Sequence, residues 1–158
     1  MAKKRSAKPA KKKIIAPEHH LQEIRLLSCS ATCEGVAIPP PPHISIGINI
    51  QVGRLDEPPE RIGAFTTFTL TASHKDKPAG PTIEIKARFQ VMYLFRSSIE
   101  NWSANAFDTF GHFQVLPHVW PYWREFVQSL VSRMGMPTIR VPLLRPEHMS
   151  FEKTSVPD

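Results

Sequence analysis

The clearest pattern along the chain lies in residues 43–52, "HISIGINIQV", where Ile44, Ile46, Ile48, Ile50 and Val52 alternate with Ser45, Gly47, Asn49 and Gln51. A period of two predicts a β-strand that buries one face. A second alternating run fills 82–95, "TIEIKARFQVMYLF". Ile83, Ile85, Ala87, Phe89, Val91, Tyr93 and Phe95 share one side, and Glu84, Lys86, Arg88, Gln90, Met92 and Leu94 the other. Its last third is apolar on both sides, which predicts that it leaves solvent for a core or an interface. Between the two, "AFTTFTLTAS" sets Phe68, Leu70 and Ala72 on one face of a strand rich in Thr and Phe. The stretch 21–34, "LQEIRLLSCSATCE", mixes apolar and small polar residues without a helix cap and reads as a fourth strand. The connections are "GVAIPPPPH", "DEPPERIG" and "HKDKPAGP", in which proline and glycine oppose both helix and ladder.

The period changes from two to 3.6 in "VWPYWREFVQSLVSRMGMP", residues 119–137. A helix is predicted to start near Pro117, where proline suits a first turn, and to stop at Gly135 with Pro137 just beyond. Pro121 then falls near the start, with a slight bend as its expected effect. Val119, Trp120, Trp123, Phe126, Val127, Leu130, Val131 and Met134 fall within an arc of roughly 140°, wider than a coiled-coil seam. The opposite side carries Arg124, Glu125, Gln128, Ser129 and Ser132, whose short members would let a second helix approach. The helix is expected either to cover its own sheet alone or to share its surface with a sister chain, through Trp120, Trp123, Val127, Gln128 and Val131. The fold class that follows is α+β: a four-stranded antiparallel sheet with one long C-terminal helix packed on it.

Composition narrows the setting. The 158 residues are enough for one domain with one core. The 16 prolines are about twice ordinary usage. The formal charge of +6 is concentrated in "MAKKRSAKPAKKK", which holds seven Lys or Arg and no acid. The remainder, with 13 basic against 14 acidic groups, is nearly neutral. The chain divides into a basic tail over 1–18 predicted to be disordered, a domain over 19–146 and an irregular tail over 147–158. The basic tail is a solubilising segment or a dock for nucleic acid. Neither a secretory signal nor an apolar run of about 20 residues is present, so a cytoplasmic protein without membrane insertion is expected.

Candidate chemistry is sparse. Cys29 and Cys33, on one strand face, would lie about 13 Å apart at 3.3 Å per residue, too far for a disulfide, and are expected to be buried thiols. Seven scattered histidines and a single Cys pair give no zinc signature, so neither metal nor cofactor is expected. No serine sits in a nucleophile elbow and no glycine run forms a phosphate loop. The carboxylates Glu100, Asp108, Glu125 and Glu152 are singletons, and His112 and His118 read as polar surface groups, so an enzyme is not expected. Apolar residues placed in loops stand out instead: Val36 and Ile38, then Ile139, Val141, Leu143 and Leu144. They are candidates for protein contacts or for covering the core's edge.

"WPYWREFVQSLVSRMGMPTIRVPLL", following "FDTFGHFQVLP", resembles the hallmark of the SecB family of protein-export chaperones. There, a Pro-aromatic-Ala/Trp-Arg-Glu helix runs into Val-Ser-Arg-Gly and a proline-rich loop. The matching positions are Pro121, Tyr122, Trp123, Arg124 and Glu125, then Val131, Ser132, Arg133, Gly135 and Pro137. The likeness extends over about residues 21–145. It implies an ATP-independent holdase that keeps unfolded, pre-secretory polypeptides in apolar grooves, assembled as a dimer of dimers. By position, Val36, Ile38, Ile46, Ile48, Ile139, Val141, Leu143 and Leu144 would line the groove. The family's acidic patch for the translocase ATPase falls on Ser30, Glu34, Glu84 and Lys86, of which Glu34 and Glu84 keep the acid and Lys86 reverses it. The second C-terminal helix of the family has no counterpart in the short, polar "RPEHMSFEKTSVPD". Members that protect antitoxins imply a dedicated client as an alternative to export, and the Lys-rich tail keeps nucleic-acid binding as another.

Overall fold

The computed structural model describes residues 18–33, 43–55, 60–73 and 83–144. Four strands, β1 (His19–Cys33), β2 (His43–Arg54), β3 (Arg61–Ser73) and β4 (Ile83–Phe95), precede the helical part. They form one antiparallel sheet in the order β1-β4-β3-β2. The α+β architecture expected from the periodicities is present.

Strands β3 and β4 occupy the middle, and their alternation is reproduced in burial. Ile62, Ala64, Phe68, Leu70 and Ala72 of β3, and Ile83, Ile85, Ala87, Phe89, Val91, Tyr93 and Phe95 of β4, are buried on a single face. The other face, with Thr67, Thr69, Lys86, Arg88 and Gln90, is half-buried or exposed. Strand β1 hides its pattern through two one-residue register shifts against β4. Leu21 pairs with Tyr93 and Glu23 with Met92, while Leu26 pairs with Phe89 and Ser28 with Arg88. Directly opposed residues share a face, so the inner positions of β1 are His19, Leu21, Ile24, Leu26, Cys29, Ala31 and Cys33. The parity flips at each extra residue, Gln22 and Leu27, as at a β-bulge.

The helical part is longer than the sequence predicts. It begins at α1 (Ala104–Phe110), where the Ser103 side chain accepts a hydrogen bond from the Ala106 N–H, a normal N-cap. It passes through a π-helical turn, Gly111–Val115, and continues as α2 (Leu116–Arg133). Pro117 has no N–H to give and its ring would strike the carbonyl four residues back. The turn before it is widened instead, and the Leu116 N–H reaches five residues back to the Gly111 oxygen. Pro121 is therefore well inside a continuous helix, not near its start. Gly111 lies against β2, where an added Cβ would come within 2.9 Å of Val52 Cγ2 and 3.2 Å of Ile50 Cγ2. At the far end Gly135, at φ +66°, closes α2 as expected.

An aromatic cluster fixes the helix over the middle strands. Trp123 stacks on Phe68 with ring centroids 5.1 Å apart, and Trp120 meets the same ring edge-on at 5.8 Å. Phe110 packs on Tyr93, Phe95 and the His19 imidazole. The following segment returns beside the helix, held by Trp120 Nε1–H donating to the Pro142 carbonyl (3.1 Å) and Arg124 Nε–H to the Val141 carbonyl (3.1 Å).

Candidate polypeptide-binding surface

The helix is too narrow for the sheet beneath it. It seals the inner face of β3 and β4, whereas no residue of β1 or β2 is fully buried. On β2, Ile44 is 40 % exposed, Ile48 38 %, and Ile46 is half-buried, although all three point to the helix side. On β1, Leu26 is 41 % exposed, Leu21 is similar, and Ile24 is half-buried. Two apolar margins thus flank the helix, each on an outer strand with a free backbone edge among the described residues.

The residues expected to line a groove divide accordingly. Ile46 and Ile48 stand together on the β2 margin. Leu143 is 66 % exposed and Leu144 half-buried, so both remain on the surface. Ile139 and Val141 do not. They are buried members of the core, because the hydrogen bonds from Trp120 and Arg124 draw their segment onto the helix. Val36 and Ile38 lie outside the described residues.

Of the positions expected to face a sister chain, Trp120, Trp123, Val127 and Val131 are buried on the chain's own sheet, and Gln128 alone is exposed. Covering one sheet accounts for the four apolar residues. Phe126 and Leu130 are half-buried, and Met134 is exposed at the end of the same arc. Sequence periodicity missed Phe113 and Tyr122, large exposed aromatics of the helical part that fall off the apolar arc.

The expected translocase patch is only partly visible, since Glu34 lies outside the described residues. Glu84 makes an ion pair with Lys86 at 2.9 Å, and Ser30 sits directly across from Lys86 on the outer face. That corner is charge-compensated rather than acidic. Phe89 lies on the buried face, as its alternation with Lys86 and Arg88 predicts, and the ring that Arg88 meets is Phe65.

Two expectations about polar groups are corrected. Cys29 is exposed and Cys33 half-buried, because β1 lies beyond the helix's cover; neither forms a disulfide. His118 is a packed group rather than a surface one. Its Nδ1 lies 2.9 Å from the Tyr93 hydroxyl, and its pKa is lowered by burial first and by the neighbouring His19 charge second. Burial raises the Tyr93 phenol well above its ordinary value. No described helix is long and apolar enough to cross a membrane.

Comparison with known proteins places the fold. No family model matches the chain and no curated protein matches it. Among solved structures, it is similar to Rv1957, a SecB-like chaperone of Mycobacterium tuberculosis in complex with a ChAD peptide from the HigA1 antitoxin. The TM-score is 0.66 at 15% identity, covering 80% of this chain and 88% of that one. It is also similar to a protein of unknown function from Streptococcus agalactiae, with a TM-score of 0.51 at 8% identity, covering 82% of this chain and all of the other. The fold of this chain is SecB-like.

Proposed function

We propose that the chain is an ATP-independent chaperone that holds extended, non-native polypeptide. The observation that carries this reading is the pair of apolar margins left open beside the helix on a SecB-like fold. A partly exposed row of Ile44, Ile46 and Ile48 next to a free strand edge suits an extended segment. Backbone hydrogen bonds tolerate any sequence, and shallow apolar contacts accept many side chains. Affinity comes from many weak contacts, so release is slow without any nucleotide.

The client is either a range of pre-secretory chains on the way to export or one dedicated partner of the antitoxin kind. The antitoxin peptide bound to the mycobacterial neighbour favours the dedicated partner. Delivery to a translocase ATPase is supported less, since Lys86 neutralises Glu84 at the expected dock. As the resemblance implies, the working particle is an assembly of copies, with a tetramer as the proposed form.

Light scattering tests the reading. The full chain should suppress aggregation of a denatured client at stoichiometric ratio. Leu143→Asp and Ile48→Asp, both at exposed positions, should each weaken suppression several-fold while leaving the melting temperature almost unchanged. Failure of the unaltered chain to suppress aggregation of any client, an antitoxin-type peptide included, would overturn it.

A further inference from the structure

The outer face of the sheet, turned away from the helix, carries a second feature that apolar capture does not use. Arg88 stands at its centre on β4, with Ser28 of β1 directly across on one side and Thr67 of β3 on the other. Its guanidinium carbon lies 4.7 Å from the Phe65 ring centroid. Two residues along the same strand face, Lys86 has Ser30 and Thr69 as its cross-strand neighbours. Ser28, Ser30, Thr67, Lys86 and Arg88, with Cys29 and Ala87 between them, line one open hollow of about 320 Å³ whose walls are mostly apolar and whose charged groups are Lys86 and Arg88.

The cations on this face differ in how they are satisfied. Arg25 is held by Glu23 at 2.6 Å and Lys86 by Glu84 at 2.9 Å. Among the described residues no carboxylate pairs with Arg88. A guanidinium lying on an aromatic ring is held in a fixed plane while its N–H edge stays available, and that edge matches an oxyanion in two-pronged fashion. Hydroxyls on both sides supply further donors, and Lys86 retains donors beyond the one facing Glu84.

We infer that this hollow docks an acidic stretch of polypeptide, with an oxyanion on Arg88 and a second one near Lys86. The spacing sets the pattern: same-face positions two apart on a strand lie about 6.6 Å from each other, as do side chains i and i+2 of an extended peptide. An acid-x-acid segment running along β4 therefore repeats the spacing of the two strand positions that carry the cations. A nucleic acid fits less well, because the Glu23 and Glu84 carboxylates on the same face oppose a continuous phosphate backbone. The oxyanion itself is a carboxylate or a phosphoester, which share this chemistry. Docking at this hollow does not require chaperone activity.

Fluorescence anisotropy with the full chain at low salt decides it, using labelled extended peptides that contain Glu-x-Glu, phosphoserine-x-Glu or Gln-x-Gln. A Glu-x-Glu or phosphoserine peptide should bind, the tighter of the two naming the oxyanion. The Gln-x-Gln peptide should not bind. Arg88→Ala should weaken the acidic peptide by about tenfold, and Arg88→Lys, which keeps charge but not the planar fork, should recover only part of that. Both variants are at an exposed position, and circular dichroism should match the unaltered chain. Equal binding of the Gln-x-Gln peptide, or no effect of Arg88→Ala, overturns the site. An oligonucleotide that outcompetes the acidic peptide and depends on Arg88 replaces it with a nucleic-acid surface.

Discussion

Single residues show how tightly the centre is filled and where it is left polar. Trp123 lies flat on Phe68, yet its indole N–H has no partner among the described residues, and neither has the buried hydroxyl of Thr66 on the same sheet face. A buried hydroxyl without a partner costs about 1–3 kcal/mol. Thr66→Val, which keeps the branched shape, should stabilise the fold by about 1 kcal/mol in urea unfolding. The Tyr93–His118 contact adds a dependence on acid. Because His118 has a folded-state pKa below its ordinary 6.5, the unfolded chain takes up the proton first. That stability is complete above the ordinary value and is lost as pH falls through it toward the folded one. The melting temperature should drop on going from about pH 7 to about pH 5, and His118→Gln, which can still accept from Tyr93, should flatten the slope. None of this was legible in the sequence, where His118 and Tyr93 stand 25 residues apart with nothing to pair them.

At the scale of elements, strands with regular pairing could be read and strands with defects could not. The alternation of β2 and β4 fixed their inner faces residue by residue. In β1 the inner positions are spaced by two, three, two, three, two and two residues, so the two inserted residues erase the period that a sequence reader looks for. The start of α2 near Pro117 was legible, but the helical turns that precede it were missed for a related reason. Pro117 does sit in the first turn of α2, but the π turn joins that turn to α1, whose cap is Ser103, fourteen residues before Pro117 in sequence. Gly111 tests that account. Glycine to alanine inside a helix is ordinarily favourable by about 1 kcal/mol. Here the new methyl would meet the branched side chains of Val52 and Ile50, so Gly111→Ala should destabilise by about 1–3 kcal/mol in denaturant unfolding. The segment after α2 separates two kinds of loop residue that look alike in sequence. Ile139→Asp should leave a buried charge in the core and abolish cooperative unfolding, whereas Leu143→Asp should not. What distinguishes them is the pair of side-chain to carbonyl hydrogen bonds from the helix, which no local pattern announces.

For the molecule as a whole, a helix one strand-pair wide on a sheet four strands wide leaves apolar surface that the described residues do not cover. If sister chains take up part of it, sedimentation at micromolar concentration should give a mass above the 17.9 kDa of one chain. Leu26→Arg on the β1 margin or Ile44→Arg on the β2 margin should lower that mass, and the one that does so identifies the shared side. The two margins are not equivalent, and the difference follows from the irregular pairing of β1. Strand β2 makes an unbroken ladder of pairs from His43 to Arg54, so its outer row of amides and carbonyls can template another strand. On β1 each inserted residue twists the row out of line and blunts it as a template. Growth into a fibre needs two adhesive rims on every subunit; a particle with one blunt rim can pair once, through a twofold axis, and then stops.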